Sequence, residues 1–313
     1  MAPNMRTRPR NLSARVYDYT AEALSLGRTD AMRRTGLLPI ADFMREAEAQ
    51  GRPASSLRLL ELAAGTGRFH TFIKDAYPDL PSVVSDLSPF YLARARSNLR
   101  YWRSLRQPSR QLGGVDDTGT EFLQTAAEAI AAPDESFDIV VCVYLFHELP
   151  EPVRRAAVSE FFRVLRPGGL AVLTDSVQLG DRRAWENTAG SRAGFNDSPH
   201  YQNYVGCDLG AMFQAAGFEC GTKYVCSATK TLSFRKPGAL AAAPTAAPPG
   251  QRQRPSANRR AGGALGGGSG PRLAVGGCGG GYLVAGGGNG GGGNGGSPGA
   301  DGLESDWPLP LGF

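Results

Sequence analysis

The chain has 313 residues, a formal charge of +5, 42 glycines and five cysteines. The positive charge sits at the ends: residues 1–15 carry Arg6, Arg8, Arg10 and Arg15 with no acid, residues 237–313 carry five arginines against three acids, and the body between them is close to neutral. A neutral body argues against a folded domain that grips nucleic-acid phosphates, and the sequence has no apolar run of about 18 residues to form a transmembrane helix.

Cys142, Cys207, Cys220, Cys226 and Cys278 show no Cys-x-x-Cys spacing. They read as reduced or packing thiols, with neither a metal site nor a disulfide framework implied. Residues 1–15 read as a basic, disordered leader, compatible with the end of an organellar transit peptide. Residues 16–50 read as a helical cap: Val16, Tyr17, Ala21 and Leu24 fit one helix, and Met32, Leu37, Ile40, Phe43, Met44 and Ala47 fit a second. Gly51, Arg52 and Pro53 punctuate its end.

From residue 51 to 236 strands and helices alternate. Leu57–Leu62, Ser82–Ser85, Glu121–Gln124, Phe137–Tyr144 and Leu170–Asp175 read as strands, and Arg68–Tyr77, Pro89–Trp102 and Glu151–Leu165 as the helices between them. Ser88 is placed to cap the Pro89 helix, and Arg166-Pro167-Gly168-Gly169 closes the Glu151 helix. A helix at Cys207–Ala216 precedes two runs, Phe218–Ser227 and Lys230–Arg235, that read as an antiparallel hairpin. The expected fold is α/β: a doubly wound, mostly parallel seven-stranded sheet with helices on both faces and a C-terminal antiparallel hairpin. Residues 237–313 are Ala/Pro/Gly-rich, hold too little apolar surface to offset ordering entropy, and are expected to be disordered.

A parallel α/β sheet binds ligands beyond the carboxyl ends of its strands. The loop after the first strand reads Glu61-Leu62-Ala63-Ala64-Gly65-Thr66-Gly67, with small residues that let the backbone approach a ligand. Glu61 would repel a diphosphate and attract a cationic sulfonium or ammonium. The loop also lacks the Gly-x-Gly-x-x-Gly of a nicotinamide enzyme. Asp86, at the end of the second strand, is placed either to accept the two hydroxyls of a ribose or to cap the next helix.

Four motifs in order now suggest a family: Leu60-Glu61-Leu62-Ala63-Ala64-Gly65-Thr66-Gly67-Arg68, Ser85-Asp86-Leu87-Ser88-Pro89, Pro133-Asp134-Glu135-Ser136-Phe137-Asp138-Ile139-Val140, and Phe162-Arg163-Val164-Leu165-Arg166-Pro167-Gly168-Gly169. Residues 58–175 resemble the class I S-adenosylmethionine-dependent methyltransferases, most closely the UbiE-like group with its plant and algal plastid branch. The resemblance implies S-adenosylmethionine as cofactor, with Glu61, Ala63, Gly65 and Gly67 at its methionyl part. It puts Asp86 at the ribose, Leu87 beside the adenine, and Ala127 and Glu128 near the adenine edge. It also implies a plastid location, the cytoplasm being the alternative. Ala63 stands where the family has a glycine, and Ala126 where many relatives have an adenine-binding Asp.

The strand Phe137–Tyr144 runs into Leu145-Phe146-His147-Glu148-Leu149-Pro150, the end that faces the cofactor's methyl group in the family layout. No Asn-Pro-Pro-Tyr is present there, which lowers an adenine or glutamine acceptor. His147 either serves as a general base of near-neutral pKa on a phenol or acidic carbon, or packs and caps the turn. Glu148 either orients it, holds cofactor, or is solvated. Residues 175–205, with Trp185, Phe195, His200, Tyr201 and Tyr204, read as an aromatic lid over the substrate or as a cover for the sheet. Arg94, Arg96, Arg100, Arg103, Arg106 and Arg110 form an acid-free basic stretch, either a solvated face or an attractor of an anionic partner or membrane surface. The expected activity is methyl transfer to a small, apolar or aromatic acceptor, without nucleic acid and without a metal. The alternative is a catalytically degenerate interaction protein on the same fold.

Overall fold

The computed structural model describes residues 10–106, 119–181 and 199–238. Residues 239–313 of the expected tail, and Trp185 and Phe195 of the expected lid, lie outside them. Seven strands, β1 (Leu59–Leu62), β2 (Ser82–Asp86), β3 (Thr120–Gln124), β4 (Phe137–Val143), β5 (Leu165–Ser176), β6 (Glu219–Cys226) and β7 (Thr229–Arg235), form one sheet in the order β3-β2-β1-β4-β5-β7-β6. The first five run parallel, and β7 is antiparallel to both β5 and β6. This is the expected α/β architecture with its C-terminal hairpin.

The central strands are mostly apolar because both faces are covered. Leu60 and Leu62, Val140 and Cys142, and Ala171 and Leu173 point to one side, against Ala157, Val158, Phe161 and Val164 of α6 (Glu151–Val164). Tyr204 of α7 (Tyr201–Gly206) and Phe213 of α8 (Leu209–Ala215) complete that layer. The intervening Leu59, Ile139, Val141, Leu170 and Val172 point to the other side. They meet Ile40, Phe43, Met44 and Ala47 of α3 (Leu37–Ala49) and Phe69, Phe72 and Ile73 of α4 (Arg68–Ala76). A third cluster joins Val84 to Leu92, Ala95 and Leu99 of α5 (Pro89–Arg106).

Several boundaries differ from expectation. The first helix, α1 (Arg10–Leu24), begins inside the segment read as a leader. The cap holds three helices, since left-handed Leu26 and Gly27 end the first and α2 (Thr29–Arg34) precedes α3. β5 starts at Leu165, so Arg166–Gly169 belongs to an irregular strand entry: Leu165 pairs with Phe137, the register shifts, and Leu170 pairs with Ile139. Helix α7 was not expected, and α8 starts at Leu209, where Asp208 accepts the Ala211 N–H at 2.9 Å as its cap. Cys142, Cys207 and Cys226 are free thiols, whereas Cys220 is disulfide-bonded, unlike the reduced thiol expected. Among the described residues no helix is long and apolar enough to cross a membrane.

One buried acid ties the amino end of the sheet together. The Asp138 side chain, 3% exposed, accepts from Arg52 at 2.8 Å, from Arg166 at 2.6 Å and from the Arg58 N–H at 2.9 Å. Removing one partner from such a cluster leaves uncompensated buried charge. Asp138→Ala is therefore expected to lower unfolding free energy by about 3–5 kcal/mol, read as a lower urea midpoint; an unchanged midpoint would contradict this role.

Candidate active site

The loop from β1 to α4 turns through three left-handed residues at alternate positions, Ala63 (φ 52), Gly65 (φ 55) and Gly67 (φ 71). The Ala64 N–H donates to Ser85 O at 2.8 Å and the Gly65 N–H to Asp86 Oδ2 at 2.9 Å, so the loop is bonded to the end of β2. The other Asp86 oxygen accepts the Ser88 N–H at 2.8 Å, which sets the turn into α5. Burial pushes the Asp86 carboxyl above its usual range, and these backbone donors oppose that shift.

The two glycines serve different ends. A Cβ on Gly67 would lie 2.9 Å from Ala95 Cβ, so its missing side chain lets α5 pack against the loop. A Cβ on Gly65 would meet only Tyr91 Cδ1, at 4.0 Å, which leaves a side-chain-free hollow beside Asp86. Leu87, which follows Asp86, is apolar and 66% exposed. The Thr125 N–H donates to Asp86 O at 3.2 Å and brings the turn holding Ala127 and Glu128 to the same rim. Within that turn Ala127 is buried in the core and Glu128 is exposed.

Ala63 keeps the left-handed turn that a glycine would adopt without strain. The conformation costs a residue with a Cβ roughly 1–2 kcal/mol. Glu61 does not line the hollow: it is 1% exposed, and its Oε2 lies 2.8 Å from His70 Nδ1. His70 Nε2 is in turn 2.9 Å from Ser82 Oγ. Glu61 is thereby held inside the scaffold beneath the loop.

Helix α1 lies over this loop. Asp18 Oδ1 accepts the Thr66 hydroxyl at 2.8 Å, and Asn98 of α5 donates to Thr66 O at 3.0 Å and to Asp18 Oδ2 at 3.4 Å. Arg33 of α2 stands 4.0 Å from Asp18 and 3.3 Å from Asp30, and Arg68 Nε donates to Asp30 Oδ2 at 3.0 Å. The helical cap is thus fastened to the loop by charge and hydrogen bonds as well as by packing.

The second half of the site follows β4. Tyr144 has φ 58, and its hydroxyl bonds Thr229 Oγ1 at 2.7 Å. A short helical turn, Phe146–Glu148, then presents His147. His147 Nδ1 lies 2.5 Å from Asp175 Oδ1 at the end of β5, and Nε2 lies 3.3 Å from Glu148 Oε1. Burial lowers the His147 pKa, but the Asp175 and Glu148 carboxylates outweigh burial and raise it to about 10. The two carboxylates therefore favour the imidazolium and move His147 away from the near-neutral base expected of it. Tyr144, Tyr201 and Tyr204 meet it edge-on at 6.5, 6.3 and 6.2 Å between centroids. The two tyrosines expected in a lid are buried against His147, and the Tyr204 hydroxyl donates to Ser176 O at 2.5 Å.

Asp86, Gly65, Leu87 and the Ala127 turn thus come together at one rim, with His147 on the β4 side. Asp18, His70 and Asp175 carry partners that no local pattern announced. The donor set fits an adenosyl cofactor: a half-buried carboxylate for ribose hydroxyls, a loop backbone left open at Gly65, and the exposed apolar Leu87 for a base.

Residues 59–169 match a family described as a methyltransferase domain. The chain is 30% identical over 159 residues to a demethylmenaquinone methyltransferase of Deinococcus radiodurans, covering 51% of this chain and 55% of that one. It is 31% identical over 159 residues to the ubiquinone/menaquinone biosynthesis C-methyltransferase UbiE of Xanthomonas campestris, covering 50% and 53%. A malonyl-[acyl-carrier protein] O-methyltransferase of Paenibacillus is 30% identical over 145 residues, covering 46% and 47%. The chain spans about half the length of these relatives. Among solved structures, a SAM dependent methyltransferase from Aquifex aeolicus is similar at a TM-score of 0.41 and 16% identity, over 58% of this chain and 82% of that one.

The strain at Ala63 makes a prediction. Ala63→Gly should raise stability by up to about 1 kcal/mol, seen as a higher thermal midpoint, with affinity for S-adenosylhomocysteine kept. A lower midpoint would contradict the left-handed turn.

Proposed function

We propose that this chain, whose residues 59–169 belong to the class I S-adenosylmethionine-dependent methyltransferases and are UbiE-like in sequence, methylates a small apolar or aromatic acceptor of quinone type. The observation that carries the reading is the Asp86 carboxylate bonded to the Gly65 N–H at 2.9 Å, beside a hollow kept empty by Gly65 itself. The quinone-type acceptor rests on the names of the similar curated proteins.

S-adenosylmethionine, when bound, supplies an electrophilic methyl group on a sulfonium. Asp86 would accept the ribose hydroxyls with the lone pairs its two backbone donors leave over. Leu87 and the Ala127 turn would flank the base, and the Ala63–Gly67 backbone would lie along the methionyl part. Glu61 and Asp18, both acids at this loop, favour a cationic ligand over a phosphate. An in-line displacement asks the protein chiefly for proximity and alignment. The α1 and α2 helices fastened over Thr66 provide cover from water on that side.

The test is transfer of tritiated methyl from S-adenosylmethionine by the full chain to 1,4-naphthohydroquinone and related aromatic acceptors, followed by organic extraction. Extractable label that disappears in Asp86→Ala is expected. Cofactor binding without label in any acceptor would favour the interaction-protein reading. A pH dependence follows from Asp86. Ribose binding needs the carboxylate, and burial raises its pKa. Affinity for S-adenosylhomocysteine should then be full above that raised pKa and fall as pH drops through it, starting above the ordinary aspartate range. Affinity flat down to the ordinary range would contradict this.

A further inference from the structure

His147 carries more than alignment requires. Both ring nitrogens face carboxylates, Nδ1 toward Asp175 at 2.5 Å and Nε2 toward Glu148 at 3.3 Å. A neutral imidazole has one N–H, so this arrangement suits the doubly protonated ring. The two acids differ in kind. The Asp175 side chain is 1% exposed and also accepts the Phe146 N–H at 2.8 Å and the Ser176 N–H at 2.7 Å, so it is fixed. The Glu148 side chain is 50% exposed. The outer nitrogen is thus the one whose partner can be exchanged, and the inner one keeps the ring oriented. Among the described residues, the other titratable groups with rings against it are Tyr144 at the end of β4 and Tyr201 and Tyr204 on α7, phenols whose pKa burial raises further. Their edges give an aromatic surround suited to a flat ring.

We propose that His147 is a catalytic residue that meets the acceptor as a cation, its Nε2–H pairing with an aromatic hydroxyl of the acceptor bound as the oxyanion. Asp175 is the positioning residue that holds the ring, and Glu148 is the group the oxyanion displaces. The inference rests on the methyltransferase reading for the reaction that follows, but concerns the acceptor alone. A base at this position would have to be neutral, and the two carboxylates oppose that state; a fixed cation beside developing negative charge is the complementary device. The step balances simply. The acceptor's O–H bond breaks heterolytically, the electron pair stays on oxygen, and the proton passes to the half-exposed Glu148 carboxylate and on to water. The resulting electron-rich oxygen, or the ring carbon conjugated with it, is the nucleophile that a methyl transfer needs. The acceptor class is therefore an aromatic ring with an ionisable hydroxyl, and a fully oxidised or hydroxyl-free ring would lack the group that His147 recognises.

The test uses 4-nitrophenol, whose phenolate is visible by absorbance, titrated into the full chain with S-adenosylhomocysteine present. The bound probe is expected to ionise at a pH at least about one unit below the free probe, a tenfold preference for the anion. His147→Gln should abolish the shift, Asp175→Asn should reduce it, and Glu148→Gln should tighten probe binding several-fold by removing the competing carboxylate. Probe that does not bind saturably, bound probe that titrates as in water, a shift that survives His147→Gln, or unchanged binding in Glu148→Gln would each overturn the proposal. Glu148 is half exposed, so that variant keeps the test decisive even if His147→Gln does not fold. S-adenosylhomocysteine affinity measured on the same samples separates the two ideas. Its loss in the wild-type chain would count against the cofactor reading, whereas a missing probe shift with that affinity intact would count against His147 alone.

Discussion

The site hangs on one carboxylate. Asp86 ends β2, and its two oxygens hold the Gly65 N–H of the preceding strand's loop and the Ser88 N–H of its own turn. Two connections that are far apart in sequence are thereby fixed to each other. Because the loop is held, Gly67 can lie against Ala95, and α5 can carry Asn98 to the Thr66 carbonyl. Because Thr66 is held, its hydroxyl is aimed at Asp18, and α1 gains a polar anchor over the sheet. Asp86 must do this while keeping lone pairs for a ligand, and its burial works against its charge. A group held in tension between desolvation and backbone donors is one whose replacement changes geometry and charge together.

Acids recur along the same edge of the sheet, each with a different partner. Glu61 is enclosed with His70, Asp86 with backbone N–H groups, and Asp175 with His147. Buried carboxylates persist only when so compensated. The kind of compensation decides what each can do: His70 and Ser82 keep Glu61 inside the scaffold, backbone donors leave Asp86 at an open rim, and Asp175 raises the pKa of a histidine that would otherwise titrate near neutrality. The opposite end of the sheet repeats the principle with Asp138 between Arg52 and Arg166, where the effect is stability.

Local pattern made much of this legible. Apolar runs bounded by Gly and Pro marked the strands, because a strand covered on both faces is apolar at nearly every position, and the Glu61–Gly67 loop and Asp86 were marked by the rule that ligands gather at strand ends. What stayed hidden depends on contacts across the chain. Nothing near Asp18 announces Thr66, 48 residues away, and nothing near His147 announces Asp175, 28 residues away. The near-neutral pKa expected of His147 was its intrinsic value; the partner that moves it comes from another strand. The Arg166–Gly169 turn misled because Pro and Gly end helices and also break the register of a strand entry, and only pairing with Phe137 distinguishes the two.

The central claim is that the Asp86–Gly65 rim receives the adenosyl part of the cofactor. Calorimetric titration of the full chain with S-adenosylhomocysteine, beside Asp86→Asn, tests it most directly, since the amide keeps the size of the side chain while removing its charge and one of its two acceptors. Saturable binding to the wild type that weakens at least tenfold in a variant that still unfolds cooperatively is the predicted result. Equal affinity in both proteins would contradict the claim.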